Sequence, residues 1–172
     1  MRVSIAFAFA ATGLAAAPSA AQEMAISVEI PRLKVAEYHR PYVAVWIEDA
    51  AGKSVRTLDV WYDVDLKPED GAKWLPDMRT WWRRAGRSMT MPANGVTAPT
   101  KAPGTHSRTY RQGSRPLANL PAGSYNLQVE AAREVGGREL VTVPFQWPPK
   151  ALTSASARGK SELGAVRLTT KR

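Results

Sequence analysis

The sequence predicts a mainly β protein, an immunoglobulin-like β-sandwich of about seven strands with one short inserted helix. Three observations lead to this fold class. Short segments of alternating apolar and polar residues recur along the chain, turns rich in Gly and Pro separate them, and only one stretch has helical periodicity. The chain has no internal repeat, so we expect residues 22–172 to form a single domain.

The first three predicted strands lie before residue 65. Residues 24–30 (MAISVEI) alternate in polarity and end at Pro31, which is typical of a half-buried strand. Residues 42–48 (YVAVWIE) and 55–64 (VRTLDVWYDV) are richer in β-branched and aromatic side chains. Because only the short DAAGK segment separates these two strands, the sequence predicts a hairpin.

The remaining strands follow a long segment without periodicity. We predict strands at 105–111, at 124–133 (SYNLQVEAAR), at 138–145 (RELVTVPF) and at 163–169 (LGAVRLT). The VGG segment makes the second and third of these a hairpin. Residues 85–104 are rich in Gly, Pro, Ser and Thr and are predicted to be a long loop. Residues 146–160 are predicted to be another irregular segment.

The predicted helix lies in KWLPDMRTWWRR, residues 73–84, which contains three of the chain's six tryptophans. Pro76 and Asp77 suit a first helical turn, and Arg83 and Arg84 suit a last turn. With Gly86 as its terminator, the helix should span 75–85.

The faces of this helix predict a lid over the core. At helical spacing, Leu75, Met78 and Trp82 point inward, Trp74 and Trp81 lie at the margin of that stripe, and Arg79 and Arg83 share the opposite face. The alternative is a functional pocket, in which Trp81 or Trp74 holds a flat cofactor such as flavin or haem.

The first residues, MRVSIAFAFAATGLAAAPSAAQ, combine one positive charge, an uncharged apolar run and small residues near position 21. This pattern is typical of a secretory signal peptide, here residues 1–21. The apolar run is shorter than the ~20 residues that span a bilayer, and no later segment is apolar enough to do so. We therefore expect an exported periplasmic protein with no transmembrane segment in the mature chain.

The chain has a net charge of +9 and no cysteine. The lack of cysteine excludes disulfides, thiolate nucleophiles and iron–sulfur clusters. Because an exported basic protein does not meet nucleic acid as its usual partner, we expect an acidic protein or an anionic surface instead. Candidate partner-binding residues are Arg79, Arg83, Arg84 and Arg87 of the helical segment, with Lys101, Arg108, Arg111 and Arg115 nearby in the sequence.

Catalytic motifs are missing from the sequence. It has no G-x-S-x-G elbow, no H-E-x-x-H and no phosphate-binding glycine loop, so we expect no enzymatic activity. Its two histidines, His39 and His106, could bind copper, haem or iron if the fold brought them together. A His-based metal site is therefore kept as an alternative.

Residues 40–62 (RPYVAVWIEDAAGKSVRTLDVWY) together with KWLPDMRTWWRR resemble the bacterial periplasmic proteins of the domain of unknown function 2271 family. Residues 121–134 (PAGSYNLQVEAARE) and 162–168 (ELGAVRL) are similar to its C-terminal half. The resemblance covers nearly all of the mature chain. It implies a non-enzymatic binding or accessory protein that supports a membrane flavin-linked redox or iron-uptake system, with a PepSY-type membrane protein as partner.

The resemblance also implies an alternative function as a flavin carrier. Some members are similar to proteins in which the final threonine of a D-x-x-[ST]-G-A-T segment receives FMN. The corresponding residues here are 94–100 (NGVTAPT), and they place Thr100 at the acceptor position. The segment differs from the motif at Asn94, Ala98 and Pro99.

Overall fold

Two β-sheets form the frame of the protein. The computed structural model describes residues 22–172, so the predicted signal peptide, 1–21, lies outside the described residues. Within 22–172 there are nine strands: β1 (Glu23–Ile30), β2 (Tyr42–Asp49), β3 (Ser54–Tyr62), β4 (Thr97–Pro99), β5 (Gly104–Arg111), β6 (Gly123–Ala132), β7 (Arg138–Trp147), β8 (Thr153–Arg158) and β9 (Ala165–Lys171).

The smaller sheet has four strands in the order β5-β1-β9-β8, all antiparallel. The larger sheet has five strands in the order β4-β3-β2-β6-β7. Only its edge pair, β3 and β4, is parallel. The predicted hairpins β2–β3 and β6–β7 are both confirmed as antiparallel pairs.

The main core contains side chains from both sheets. Met24, Ile26 and Val28 of β1 belong to the same buried cluster as Leu127 and Val129 of β6. In each strand these are every second residue, because successive side chains of a strand point to opposite faces of the sheet. The alternation read from the sequence therefore identifies the inward faces of the two sheets correctly.

Prolines occupy both edge strands of the larger sheet. Pro144 lies in β7 opposite Asn126, and Pro99 ends β4. Since proline has no backbone N–H, it is tolerated in a sheet where that position faces away from the neighbouring strand. In agreement with this, the next residue after Pro99, Thr100, donates its N–H to the carbonyl of Tyr62 at 3.2 Å.

A helical layer covers the outer face of the larger sheet. Ala44 and Trp46 of β2 form a second buried cluster with Leu75, Met78 and Trp81 of the segment between β3 and β4. Strand β2 is therefore buried on both faces, as its nearly continuous apolar run suggests. The predicted lid exists, and it lies on a sheet face outside the main core.

The prediction of one helix over 75–85 is corrected. The chain forms a 3₁₀ turn at Leu75–Asp77, leaves helical geometry at Met78 (ψ 69°), and continues as α2 (Arg79–Arg84). A second 3₁₀ turn follows at Gly86–Ser88. A short helix that the sequence analysis did not predict, α1 (Pro68–Ala72), precedes the first 3₁₀ turn.

Two strands were not predicted, which raises the number from about seven to nine in the described residues. β4 lies inside the predicted 85–104 loop and has only three residues. β8 (TSASAR) lies inside the predicted irregular segment 146–160, and its small side chains give little hydrophobic alternation. The immunoglobulin-like plan stays a prediction. No helix in residues 22–172 is long and apolar enough to span a membrane.

Candidate functional site

Glu130 holds the N-terminal end of α2 on the larger sheet. Its carboxylate is fully buried and accepts the backbone N–H groups of Thr80, at 3.0 Å, and Trp81, at 2.7 Å. Nη1 of Arg138 donates to the same carboxylate at 2.6 Å. The first N–H groups of a helix have no partner within it, and here a strand residue supplies one. The carboxylate also complements the positive end of the helix dipole.

Glu48 holds the other end of α2. This buried carboxylate accepts from Nε1 of Trp46 at 2.7 Å and from Nε2 of Gln128 at 2.9 Å. Its third partner is Arg84, whose Nη1 lies 2.6 Å from Glu48 and also donates to the carbonyl of Gly52. Arg84, a predicted partner-binding residue, therefore has an internal structural role.

The tryptophan side chains of the helical layer do not point in the predicted directions. Trp81 is fully buried and donates Nε1 to Thr57 at 3.2 Å, whereas Trp82 is only partly buried and Trp74 is 49% exposed. The break in helical geometry at Met78 explains the change, because α2 begins after it and its faces do not continue those of a single helix over 75–85. The prediction that Trp82 points inward and Trp81 lies at the margin is wrong. Trp81 also cannot hold a ligand, because no part of it is accessible.

Gly86 allows the chain to approach these rings. A Cβ at this position would lie 2.7 Å from the Trp81 ring and 2.8 Å from the Trp82 ring, closer than real contacts allow. The helix ends before it, at Arg84, and Ala85 is the C-cap. Gly86 is thus required for close packing more than for helix termination.

Three arginines of the helical layer point into solvent, and we call them the arginine face: Arg79, Arg83 and Arg87. None of the three has an ion pair with a described side chain. Two further members of the predicted basic cluster are paired internally, Arg108 with Asp59 and Arg111 with Glu23. The basic surface is therefore smaller than the sequence suggests.

A second polar cluster lies between the sheets at the β3–β5 side. Asp59 is buried; it accepts from the hydroxyl of Tyr110 at 2.5 Å and pairs with Arg108. Burial raises the pKa of Asp59, although the hydrogen bond from Tyr110 and the charge of Arg108 act in the opposite direction. Burial also raises the pKa of Tyr110, and the adjacent Asp59 charge adds to that effect.

The Tyr110–Asp59 pair predicts a loss of stability at alkaline pH. An unfolded tyrosine ionises near pH 10, whereas folded Tyr110 keeps its proton because its pKa is raised. The free energy of unfolding should therefore fall above about pH 10, by up to ~1.4 kcal/mol per pH unit for this group. Urea unfolding between about pH 8 and about pH 11 measures this slope.

The Tyr110→Phe variant should have a shallower fall than the wild type. Burial also raises the pKa values of Tyr38 and Tyr42, so these two residues contribute to the slope that remains. Identical alkaline profiles for the variant and the wild type would contradict the assignment to Tyr110.

A cleft of about 650 Å³ lies beside the exposed Trp74, and we call it the Trp74 cleft. Its walls come from the segment that leads into β2, the segment after β3, the first 3₁₀ turn and the residue before it, the residue after β4, and the β6–β7 hairpin. Thr100, the predicted FMN acceptor, and His39 both line it. The sequence alone does not show that these distant segments meet. Three of the lining residues, His39, Trp74 and Thr100, were nevertheless predicted as candidate ligand-binding residues.

The structure places the two histidines in separate clefts. His39 lines the Trp74 cleft, where Nε2 lies 2.8 Å from Glu37 and Nδ1 lies 3.6 Å from Glu134. His106 lines a different cleft beside Trp61, and its Nε2 lies 2.8 Å from the carbonyl of Ala102. Among the side chains that the structure describes, no group of three or more His, Asp or Glu is placed to hold a metal ion.

The fold and the site thus define a mainly β domain of two sheets, with a tryptophan- and arginine-rich helical layer on one face and a polar cleft beside it. A family model described as predicted periplasmic protein (DUF2271) matches residues 23–165, and the chain belongs to this family. The predicted resemblance is therefore confirmed. No curated protein and no solved structure matches the chain.

Proposed function

We propose that the protein is a non-enzymatic periplasmic accessory module that binds an acidic partner through the arginine face. The observation that supports this proposal is the rigid mounting of α2. Glu130 and Glu48 fix its two ends, while Arg79, Arg83 and Arg87 stay in solvent without described acidic partners. Fixed, unpaired cations of this kind favour association with an acidic surface and speed the encounter.

The partner we propose is a membrane protein of a flavin-linked redox or iron-uptake system, of the PepSY type. Family membership supports an exported location, since the family is described as periplasmic. The partner itself rests on the resemblance described above and on charge complementarity. An acidic periplasmic face on that membrane protein is the feature that the arginine face requires.

Charge reversal of the arginine face tests the proposal. The variant Arg79→Glu, Arg83→Glu, Arg87→Glu should recover at least about tenfold less of the membrane partner in crosslinking from the native host, since three exposed charge contacts are each worth up to ~1 kcal/mol. The recovered protein is identified by mass spectrometry. Raising the salt concentration should weaken wild-type recovery in the same direction.

A matched control has the same charge change on the other side of the protein. It carries Lys150→Glu, Lys160→Glu and Arg167→Glu, three exposed positions outside the helical layer. This control should recover the partner like the wild type. If both variants lose it equally, or if the wild type recovers no membrane protein, the proposal is rejected.

A second candidate function is that of a flavin carrier with FMN on Thr100. The observation that favours it is the position of Thr100 in the Trp74 cleft, where Trp74 offers a ring for stacking. Asp63, Asp65 and Asp77 line the same cleft and would repel the FMN phosphate, so we rank this function second.

Intact mass of protein exported by its native host tests the carrier function. A mass increase of one FMN phosphoester should be present in the wild type, absent in Thr100→Ala and retained in Thr105→Ala, an exposed threonine on β5. An unmodified wild-type mass would reject the carrier function and leave the accessory function untouched.

A further inference from the structure

Strand β8 forms one edge of the smaller sheet, and its six residues pair with β9 in a continuous register. Gly159 extends this register, because its N–H donates to the carbonyl of Gly164 at 2.9 Å. Bonded and non-bonded pairs alternate in an antiparallel ladder, so Ser154, Ser156 and Arg158 direct their N–H and C=O groups away from β9. Among the described residues, these groups have no other backbone partner.

The sequence of β8 lacks the features that usually protect an edge strand. TSASAR contains no proline, carries its only charge at the last residue, and pairs with β9 without a bulge. Thr153, Ser154 and Ser156 are exposed. Natural proteins normally protect such an edge with charges, prolines or bulges. The backbone of β8 is therefore open to hydrogen bonds from a further strand.

The main core is incompletely covered on the side where β7 and β8 lie. Five partly buried apolar residues of the described chain pack against this core, and three of them are Phe145, Ala155 and Ala157 of these two strands. A cavity of about 860 Å³ lies beside them, lined on the β7 side by Phe145 and Trp147 and on the β8 side by Thr153 and Ala155. We call it the β7–β8 groove. Apolar side chains placed in it would be removed from water, which is favourable.

The two faces of β8 determine which side chains a further strand should carry. Ala155 and Ala157 face the main core, whereas Ser154 and Ser156 point away from it. A strand paired with β8 alternates in the same way, so every second side chain enters the β7–β8 groove near Phe145. Large apolar side chains suit these positions, because the β8 side chains beside them are small.

The charges around β8 favour acidic residues at the alternate positions. On the outer face of the smaller sheet, Arg158 is bonded to Glu29 at 3.3 Å, and Arg167 of β9 has no ion pair with a described side chain. Lys150 and Arg172 line the groove, and no acidic side chain lines it. Carboxylates on an added strand would therefore meet a surface with an excess of cations.

The other carboxylates near this edge already have partners. Glu23 is shared by Arg111, at 2.7 Å, and Lys171, at 2.8 Å. Glu139 of β7 accepts backbone N–H groups of the loop after β8, including that of Leu163 at 2.9 Å. Because these contacts use the nearby carboxylates, the excess of positive charge remains.

A second copy of the chain is a poorer occupant of this edge. If β8 paired with its own copy, only small side chains would enter the β7–β8 groove. The pairing would also bring together Arg158 and Arg167 of two chains that each carry a net charge of +9. A strand with alternating apolar and acidic residues avoids both disadvantages.

We propose that β8 accepts an extended segment of another exported protein as a further strand of the smaller sheet. The segment alternates large apolar residues, which fill the β7–β8 groove, with acidic residues, which face Arg158 and Arg167. Its backbone pairs with the free N–H and C=O groups of Ser154, Ser156 and Arg158. This site lies on the smaller sheet and does not depend on the arginine face or on the partner proposed for that face.

Three capped seven-residue peptides test this site, with the amide NMR spectrum of residues 22–172 as the readout. The first peptide alternates glutamate and valine, the second has lysine in place of each glutamate, and the third has the composition of the first with its valines in one block. The first should bind at least about tenfold tighter than either of the others and should shift the amide signals of residues 153–158. No binding of the first peptide, or equal binding of the third, would overturn the proposal.

Proline at position 156 tests the backbone pairing. Ser156→Pro removes an N–H group that points to the free edge and keeps the hydrogen bonds between β8 and β9. This variant should bind the alternating peptide at least about tenfold more weakly than the wild type. Ser156→Ala is the matched control, since it keeps the N–H group and should bind like the wild type. Equal affinity of the two folded variants would contradict strand pairing.

Two charge-reversal variants separate this site from the arginine face and test it without proline. The variant Lys150→Glu, Lys160→Glu, Arg167→Glu should bind the alternating peptide at least about tenfold more weakly, whereas Arg79→Glu, Arg83→Glu, Arg87→Glu should bind it like the wild type. The reverse result would place the peptide on the arginine face and overturn the proposal. Sedimentation measures the remaining alternative: a wild-type dimer that Ser156→Pro dissociates would assign the edge to a second copy and would also overturn it.

Discussion

Replacing Glu130 with alanine should lower the free energy of unfolding by about 3 kcal/mol. The substitution removes the acceptor of two backbone N–H groups at the start of α2, those of Thr80 and Trp81, in a place that water does not reach. It also leaves Arg138 without its carboxylate. Urea unfolding followed by tryptophan fluorescence measures the loss.

Three control variants separate the helix anchor from the ion pair. Arg138→Ala keeps both backbone contacts of Glu130 and removes a side chain that is 40% exposed, so it should cost only about 1 kcal/mol. Glu130→Gln keeps one acceptor oxygen and should fall between the two alanine variants. Glu134→Ala removes an exposed carboxylate two residues beyond β6 and should stay within ~0.5 kcal/mol of the wild type. A loss below about 1 kcal/mol for Glu130→Ala would show that the sheet does not anchor α2.

Replacing Trp81 with alanine should cost about 3–5 kcal/mol, because the side chain is fully buried and its removal leaves a large cavity. The indole fills the space between the outer face of the larger sheet and the helical layer, in a cluster with Trp46, Val60 and Met78. The variant also leaves Thr57 without the indole N–H. The midpoint and slope of urea unfolding measure the effect.

The neighbouring tryptophans provide the comparison. Trp82→Ala should cost about 1–2 kcal/mol because Trp82 is only partly buried, and Trp74→Ala should stay within about 0.5 kcal/mol. A single continuous helix over 75–85 predicts the opposite order for Trp81 and Trp82. The order of these two losses therefore decides between the two assignments of the helix face.

The strands were predictable from sequence where side-chain alternation is strong. β1 and much of β7 bury every second residue, and the apolar residues of β6 that alternate in the sequence face the main core, so their periodicity reports their structure directly. β2 was predictable from its run of β-branched and aromatic residues. β4 and β8 escaped prediction because a strand of three residues, or one built from Ser and Ala, carries no such signal. In these two strands the pairing with a neighbour determines the conformation.

The two buried glutamates that hold the helical layer on the sheet, Glu48 and Glu130, could not be predicted from side-chain alternation. Glu48 of β2 and Glu130 of β6 lie on the strand face that points away from the main core. A charged residue on that face normally indicates that the face is exposed to solvent. The nearly continuous apolar run of β2 argues against a solvent-exposed face, because it implies that both faces of this strand are covered. The Trp74 cleft could not be predicted, because its walls come from five segments that are separated in the sequence.

The prolines at the edges of the larger sheet limit how a partner can bind. An extended peptide can join a sheet only where an edge strand offers a continuous row of N–H and C=O groups. Pro144 and Pro99 interrupt that row on β7 and β4, at the two opposite edges. Recognition by strand addition is therefore disfavoured on the sheet that carries the helical layer, which favours recognition of a partner on this side through side chains.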